Sequence, residues 1–329
     1  MGFIQSYYTD KGEYRKSNQD ALAIVKAATH AGEALLCVVC DGMGGYAQGE
    51  LASKHCIDKT VGWFKKRFPF IIRHFAEDDW RSEAQSELDF LIRNINEQLV
   101  QYGTKHGFKI GTTLTGILLW QNSYLIFHVG DSRAYLITDQ VRQLTTDGSL
   151  AAQQVSEGKL TEEEARHFKK RNVLTECVGV STGVEVKFYL GDYFTGDSYL
   201  LCSDGFWHNL EDSELAHHIG SEQVRSDEDM QSRLQYLVSL VVNKDQKNYV
   251  RVKLDTEDYR KRRKDTLENL AKNIASKVRR TQKPVSLEAM NPYERRIIHS
   301  ALQGNRYVET YSEGNEPYRH VVVVPKKNR

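Results

Sequence analysis

The sequence predicts an α+β chain in two parts. Three observations carry that reading. Strand-like and helix-like runs fall in separate blocks rather than in strict alternation. Several apolar runs end in an acid beside a glycine, the mark of a chain turning off the end of a core strand. The composition also breaks: residues 233–329 hold 22 Lys/Arg and 11 Asp/Glu, a net of +11, while the preceding residues hold 23 basic and 33 acidic, a net of −10. All four tryptophans and all five cysteines precede residue 208, and four of the five prolines follow residue 283. A boundary near 230–265 follows from this shift.

A chain of 329 residues with 40% hydrophobic and 27% charged residues suits a soluble globular protein. Apolar runs reach only about seven residues, too short for a membrane helix. The first residues, Met1–Ser6, lack the basic-then-apolar pattern of a signal peptide. Cysteines at 37, 40, 56, 177 and 202 are odd in number and scattered, which argues against a disulfide framework and for a reducing, cytoplasmic setting. Cys37 and Cys40 have metal-site spacing, but residues three apart on a strand point to opposite faces, so both read as core.

Taken in order, the polar stretch Arg15–Asp20 leads into the apolar run Ala21–Val25, which is expected to pair with a strand over 34–40. That second strand, Leu35–Cys40, ends in Asp41-Gly42-Met43-Gly44-Gly45. Residues 46–108 read as helices with an irregular middle. Strands are expected at Thr113–Leu119, Tyr124–Val129 and Arg133–Ile137, the last two as a hairpin with Gly130-Asp131-Ser132 at its tip. Residues 143–180 read as a partly helical flap, with a helix start at Thr161-Glu-Glu-Glu164. Two more strands follow, Val184–Leu190 and Ser198–Cys202, the second ending in Ser203-Asp204-Gly205.

Three strand ends therefore carry Asp beside Gly, at 41, 131 and 204, and Asp20 directly precedes a strand. Carboxylates without a His or Cys cluster suit hard Mg²⁺ or Mn²⁺. Two such ions sharing a carboxylate can activate a water and stabilise an in-line displacement at phosphorus. A nearby Arg can hold the phosphate.

Arg15-xx-Asn18-Gln19-Asp20, Asp41-Gly42-Met43-Gly44-Gly45, Gly111-Thr112-Thr113, Val129-Gly130-Asp131-Ser132-Arg133 and Leu201-Cys202-Ser203-Asp204-Gly205 stand in the order and rough spacing of one family. Over about residues 1–225 the chain resembles the metal-dependent (PPM, type 2C) Ser/Thr protein phosphatases, and its Met43 form resembles their bacterial branch. The resemblance implies an α-β-β-α sandwich with a two-metal centre at one end, holding Mn²⁺ or Mg²⁺ and a weaker third ion. By motif, Asp41 would bridge both metals, the Gly42 carbonyl would bind one and Asp204 the other. Asp131 would help hold the third, Asp20 would orient the attacking water, and Arg15 would bind the substrate phosphate. Ser132 and Ser203 read as turn packing.

From about Leu234 the pattern changes. Leu234–Val242 is a compact helical pattern and Asn248–Leu254 a half-buried strand. A long amphipathic helix then has apolar positions 267, 270, 271, 274, 275 and 278. Its other face carries Arg260–Lys264 and Arg279-Arg280, which raises the prior for an anionic partner. Arg295 and His299 sit at i and i+4, on one face of a helix. Glu309–Ser312 and Arg319–Val324 read as strands.

Through Asn291–His299 and Val308–Gly314 this half is similar to the C-terminal part of the bacterial Jag (SpoIIIJ-associated) RNA-binding proteins, whose last domain is the Arg-xxx-His, or R-3-H, domain. The resemblance implies a small α/β domain that binds single-stranded RNA, with Arg295 and His299 as its binding residues. Residues 233–264 resemble the tail of a KH domain without its Gly-x-x-Gly loop. The expected division is a phosphatase domain over 1–232, a KH-like remnant over 233–264 and an R-3-H-like domain over 265–329.

The seam departs from the phosphatase pattern, in which an Asp-Asn pair opening the final core strand supplies the last metal ligand. This chain contains no Asp-Asn dipeptide. Asp245 is the nearest stand-in, and Lys247-Asn248 falls in the ligand slot. The reading is a phosphatase acting on phosphorylated proteins, including those of a bacterial Ser/Thr kinase, joined to an RNA-binding tail and not tied to a membrane. The alternative is a catalytically impaired phosphatase-like protein acting as an RNA-binding or regulatory module.

Overall fold

A computed structural model describes residues 2–11, 17–43, 48–75, 80–219, 226–244, 259–290, 292–314 and 319–326. The chain divides into two compact units, Met1–Leu254 and Asp255–Arg329.

The first unit begins with two long strands, β1 (Asp20–Thr29) and β2 (Gly32–Met43). Helices α1 (Gln48–Lys66), α2 (Phe68–His74) and α3 (Trp80–His106) follow. Then come β3 (Gly111–Thr112), β4 (Leu114–Trp120), β5 (Ser123–Val129), β6 (Arg133–Ile137) and β7 (Val141–Gln143). Short helices α4 (Leu150–Ser156) and α5 (Glu162–Arg166) occupy the expected flap, and α5 opens on a full capping box between Thr161 and Glu164. The unit continues through β8 (Lys187–Asp192), β9 (Ser198–Cys202), α6 (Asp204–Trp207), α7 (Asp212–Ile219) and α8 (Asp227–Asn243).

The strands form two antiparallel sheets. The larger runs β1-β2-β4-β5-β8, with β3 paired to the end of β2, and the smaller runs β7-β6-β9. The side-chain period of two sorts β2 between two cores. Leu36, Val38 and Cys40 point to a cluster with Cys56, Phe64, Leu88 and Ile92 of α1 and α3. Leu35 and Cys37 point the other way, where Ile117, Leu119 and Ile126 meet Ala134 and Leu201 of the small sheet. The outer face of the small sheet packs Tyr135, Ile137 and Cys202 against Leu215, Ile219 and Leu237 of α7 and α8. The layers are helix, sheet, sheet, helix; all five cysteines are free, and Cys37, Cys40, Cys56 and Cys202 belong to the cores.

Two expectations change. The run β5–β6 is not a hairpin: β5 pairs with β4 and β8, whereas β6 pairs with β7 and β9. Gly130, at φ +108, turns the chain from one sheet to the other, a conformation that favours glycine. Helix α8, expected to open the C-terminal half at residue 233, lies in the first unit, because Leu237 is buried against the small sheet and α7. The strand expected over 248–254 lies outside the described residues.

The second unit holds α9 (Tyr259–Thr281), β10 (Val285–Ala289), α10 (Pro292–Leu302), β11 (Val308–Glu313) and β12 (His320–Pro325), with sheet order β10-β12-β11. Leu267, Ala271, Ala275 and Val278 bury the predicted stripe of α9 against Ile297 and Ile298 of α10 and Val321 and Val323 of β12. Among the described residues no helix is long and apolar enough to cross a membrane.

Candidate metal centre and nucleic-acid-binding domain

The pairing of β1 with β2 sets Asp20 directly opposite Asp41. Asp41 is buried, on a central strand whose backbone is locked to the next motif. Its N–H donates to Thr113 Oγ1 at 2.8 Å, and its carbonyl accepts from the Thr113 N–H at 2.9 Å and from Thr112 Oγ1 at 3.0 Å. The Gly42 N–H donates to the Gln19 carbonyl at 3.2 Å. A Cβ at Gly42 would collide with the carbonyls of Gln19 and Gly49, so only glycine lets α1 close over this strand end. Ser203 Oγ donates to Asp20 Oδ2 at 3.0 Å, tying the end of β9 to the start of β1. Ser203 is therefore more than turn packing.

Asp131 sits in the crossover from β5 to β6, buried at 5% exposure. Its carbonyl accepts from Trp207 Nε1 at 3.1 Å, which brings α6 and Asp204 beside it. Burial, with Asp204 and Asp147 adding, pushes the Asp131 carboxyl up to about 7. Asp204, at the first position of α6, faces His208 at 3.9 Å. Thr113 Oγ1 also hydrogen-bonds Ser132 Oγ at 2.8 Å, so one hydroxyl pair joins Asp41 to the Asp131 turn. The sequence reading missed Asp147, which grips Arg133 with both carboxylate oxygens at 3.0 and 2.8 Å. The Arg133 guanidinium lies 3.3 Å from the Trp207 ring centroid. Asp147-Gly148 repeats the Asp-Gly pattern, but it follows the short, exposed β7 rather than an apolar run. Arg15 and Asp245 lie outside the described residues.

In the second unit, Arg295 is 8% exposed and donates to the carbonyls of Met290 and Arg319. His299 Nδ1 bonds Thr310 Oγ1 at 2.8 Å and its Nε2 bonds Ser312 Oγ at 2.9 Å, both on β11. Burial, with Arg295 adding, lowers the His299 pKa. The two motif residues share a helix face, as expected, with Arg295 buried and His299 half-buried.

The sequence profile of the protein phosphatase 2C family matches residues 13–241. The chain belongs to that family. Among relatives of this phosphatase, the serine/threonine phosphatase stp of Listeria innocua is 30% identical over 226 residues, 67% of this chain and 84% of that protein. The crystal structure of the catalytic domain of the serine/threonine protein phosphatase PstP in complex with two manganese ions superposes with a TM-score of 0.55 at 28% identity, covering 72% of this chain and 90% of that one. This phosphatase is accordingly a metal-dependent protein Ser/Thr phosphatase. The R-3-H domain profile matches residues 265–325. The RNA-binding protein KhpB of Clostridium symbiosum is 69% identical over 94 residues, 29% of this chain and 42% of that protein. A 94-residue match must begin by residue 236, so the two likenesses overlap within α8.

The donors gathered at the strand ends of this phosphatase are all oxygen, which suits a hard dication. Burial first, and the neighbouring Asp204 and Asp147 second, disfavour the charged Asp131 carboxylate, a balance that a bound cation would reverse. Among the described residues no three His, Cys, Asp or Glu side chains converge on one point. The acids stand instead as two pairs, Asp20 with Asp41 and Asp131 with Asp204. The residues fit a divalent metal in kind.

Proposed function

We propose that the first unit hydrolyses phosphoserine and phosphothreonine in proteins at a centre organised on Asp41, with substrates that include the targets of a bacterial Ser/Thr kinase. The observation that carries this is the Asp20–Asp41 pair, set in register by β1 and β2 and tied to β9 by Ser203. Asp41 would bridge two Mn²⁺ or Mg²⁺ ions, with the Gly42 carbonyl on one and Asp204 on the other. Asp131 would hold a weaker third, and Asp245 is the remaining candidate ligand. When bound, the ions supply an acidified water and positive charge at the phosphoryl oxygens. Asp20 would orient the attacking water and Arg15 would hold the substrate phosphate.

The phosphatase domain runs through α8. The stretch from there to 264 is the KH-like remnant, and the R-3-H domain binds single-stranded RNA in the cytoplasm. Arg295 serves that binding from inside the fold and His299 from the wall of a cleft. The test is turnover of p-nitrophenyl phosphate with Mn²⁺, with Mg²⁺ and with EDTA. Activity is expected with Mn²⁺ and none with EDTA. Asp41→Asn and Asp204→Asn should each abolish turnover with circular dichroism unchanged, and Arg15→Ala should mainly raise KM. Full activity in a folded Asp41→Asn protein would sink the assignment. A second reading, an impaired phosphatase working as an RNA-binding or regulatory module, is favoured by one observation, the missing Asp-Asn dipeptide.

A further inference from the structure

In the R-3-H domain Arg295 is committed to the interior, whereas His299 is half-buried at the wall of a cleft. Arg295 serves backbone carbonyls and His299 serves two hydroxyls of β11. Buried Arg295 leaves a nucleic acid to be met by half-buried His299 and by groups exposed around it. We infer that Tyr307, backed by Arg279, is the stacking platform on which this domain takes an unpaired RNA base, an inference that rests on the RNA-binding reading above.

Tyr307 immediately precedes β11 and is 50% exposed, although it is a large aromatic side chain. The Arg279 guanidinium, from the last turn of α9, lies 4.1 Å from its ring centroid. Among the described residues no carboxylate pairs with Arg279. The ring is fixed by its backbone: its N–H donates to Asn305 Oδ1 at 2.9 Å and its carbonyl accepts from the Lys326 N–H at 2.8 Å. Arg279 from α9 thus sets a cation against one exposed ring, while Arg306 precedes that ring in the chain and Lys326 follows β12 with its Nζ 3.9 Å from Glu309. Arg279, Arg306 and Lys326 are all exposed. An aromatic face beside basic groups takes a base by stacking and its phosphates by charge, whatever the base.

Beside this ring lies a cleft of about 440 Å³ between the end of α10 and β11. His299, Asn305, Val308, Glu309, Thr310 and Lys326 are among the residues that line it, and Asn305 and Lys326 also fix the Tyr307 backbone. A polar cleft of that size takes one unstacked nucleotide and excludes a duplex. This favours a single strand over double-stranded RNA as occupant.

The experiment uses the full chain and fluorescence anisotropy with a labelled 12-nucleotide oligouridine, with a duplex of the same length as comparison. Wild type should bind the single strand more tightly than the duplex. Tyr307→Ala should weaken single-strand binding by about five- to a hundredfold, the range of one lost stacked base. Tyr307→Phe, which keeps the ring, should stay within about twofold of wild type. Arg279→Ala should weaken binding and reduce the salt slope by about one unit. Thermal melts check that each variant is folded. Wild-type binding with Tyr307→Ala unchanged would overturn the platform and leave the RNA-binding reading standing. Absence of wild-type binding would overturn both.

Discussion

At the residue scale, His128 and Arg295 show how buried polar groups are held. His128 is buried, hydrogen-bonded by Nδ1 to Thr115 Oγ1 at 2.9 Å and by Nε2 to the Thr146 carbonyl at 3.2 Å. Burial pulls its pKa down to about 4 from the ordinary 6.5. A folded-state value below the unfolded one means the unfolded chain takes up the proton first as pH falls. Stability from His128 is full above about 6.5 and is lost as pH falls towards about 4, at up to about 1.4 kcal/mol per pH unit. Urea melts between pH 7 and 4.5 should therefore show a shallower decline for His128→Gln than for wild type. Arg295→Met should destabilise the second unit by about 1.5–3 kcal/mol, because charged hydrogen bonds to buried carbonyls are lost. Denaturation followed in that unit checks this. The acids at 41, 131 and 204 were legible because each stands beside a glycine or at the end of an apolar run. Asp147 was not, because β7 is too short and polar to announce it. Helical spacing told that Arg295 and His299 share a face, but it does not tell whether that face looks in or out.

At the scale of elements, alternation located most strands of the first unit and the pairing of β1 with β2, but not which sheet β6 joins. Three residues between two apolar runs serve a hairpin and a crossover equally well. Only the sheets themselves show that β5 and β6 part company at Gly130. The stripe of α9 was read completely, since 267, 271, 275 and 278 are its buried positions. Strand β10 was missed because its five residues, Val285–Ala289, include Ser286 and Glu288 and sit between stronger helical signals. The seam gives a test at this scale. If residues 245–252 supply the phosphatase's last strand, Lys247 stands where the family has a ligand acid. Lys247→Asp then changes the local charge by two units and restores an Asp-Asn pair. The Mn²⁺ concentration for half-maximal turnover should fall and the rate should rise. If Lys247→Asp and Asp245→Ala are both silent, the stretch takes no part in the centre and the impaired-phosphatase reading moves ahead.

At the scale of the molecule, two units with separate cores carry opposite chemistry, acids gathered at strand ends in one and a basic helix with exposed tyrosines in the other. The charge break foretold two parts, though not where one stops. Charge follows ancestry, whereas a core follows contact, and in α8 the two disagree. Its Leu237, fully buried, closes the phosphatase's small sheet, yet it falls in the stretch shared with KhpB. The join between two lineages is thus a load shared by one helix, and excision by pedigree would tear the phosphatase open. A fragment ending at 232 should bind hydrophobic dyes and elute as aggregates, with Tyr135, Ile137 and Leu215 uncovered. One ending at 244 should elute as a monomer, and size-exclusion chromatography of the pair reads the difference directly.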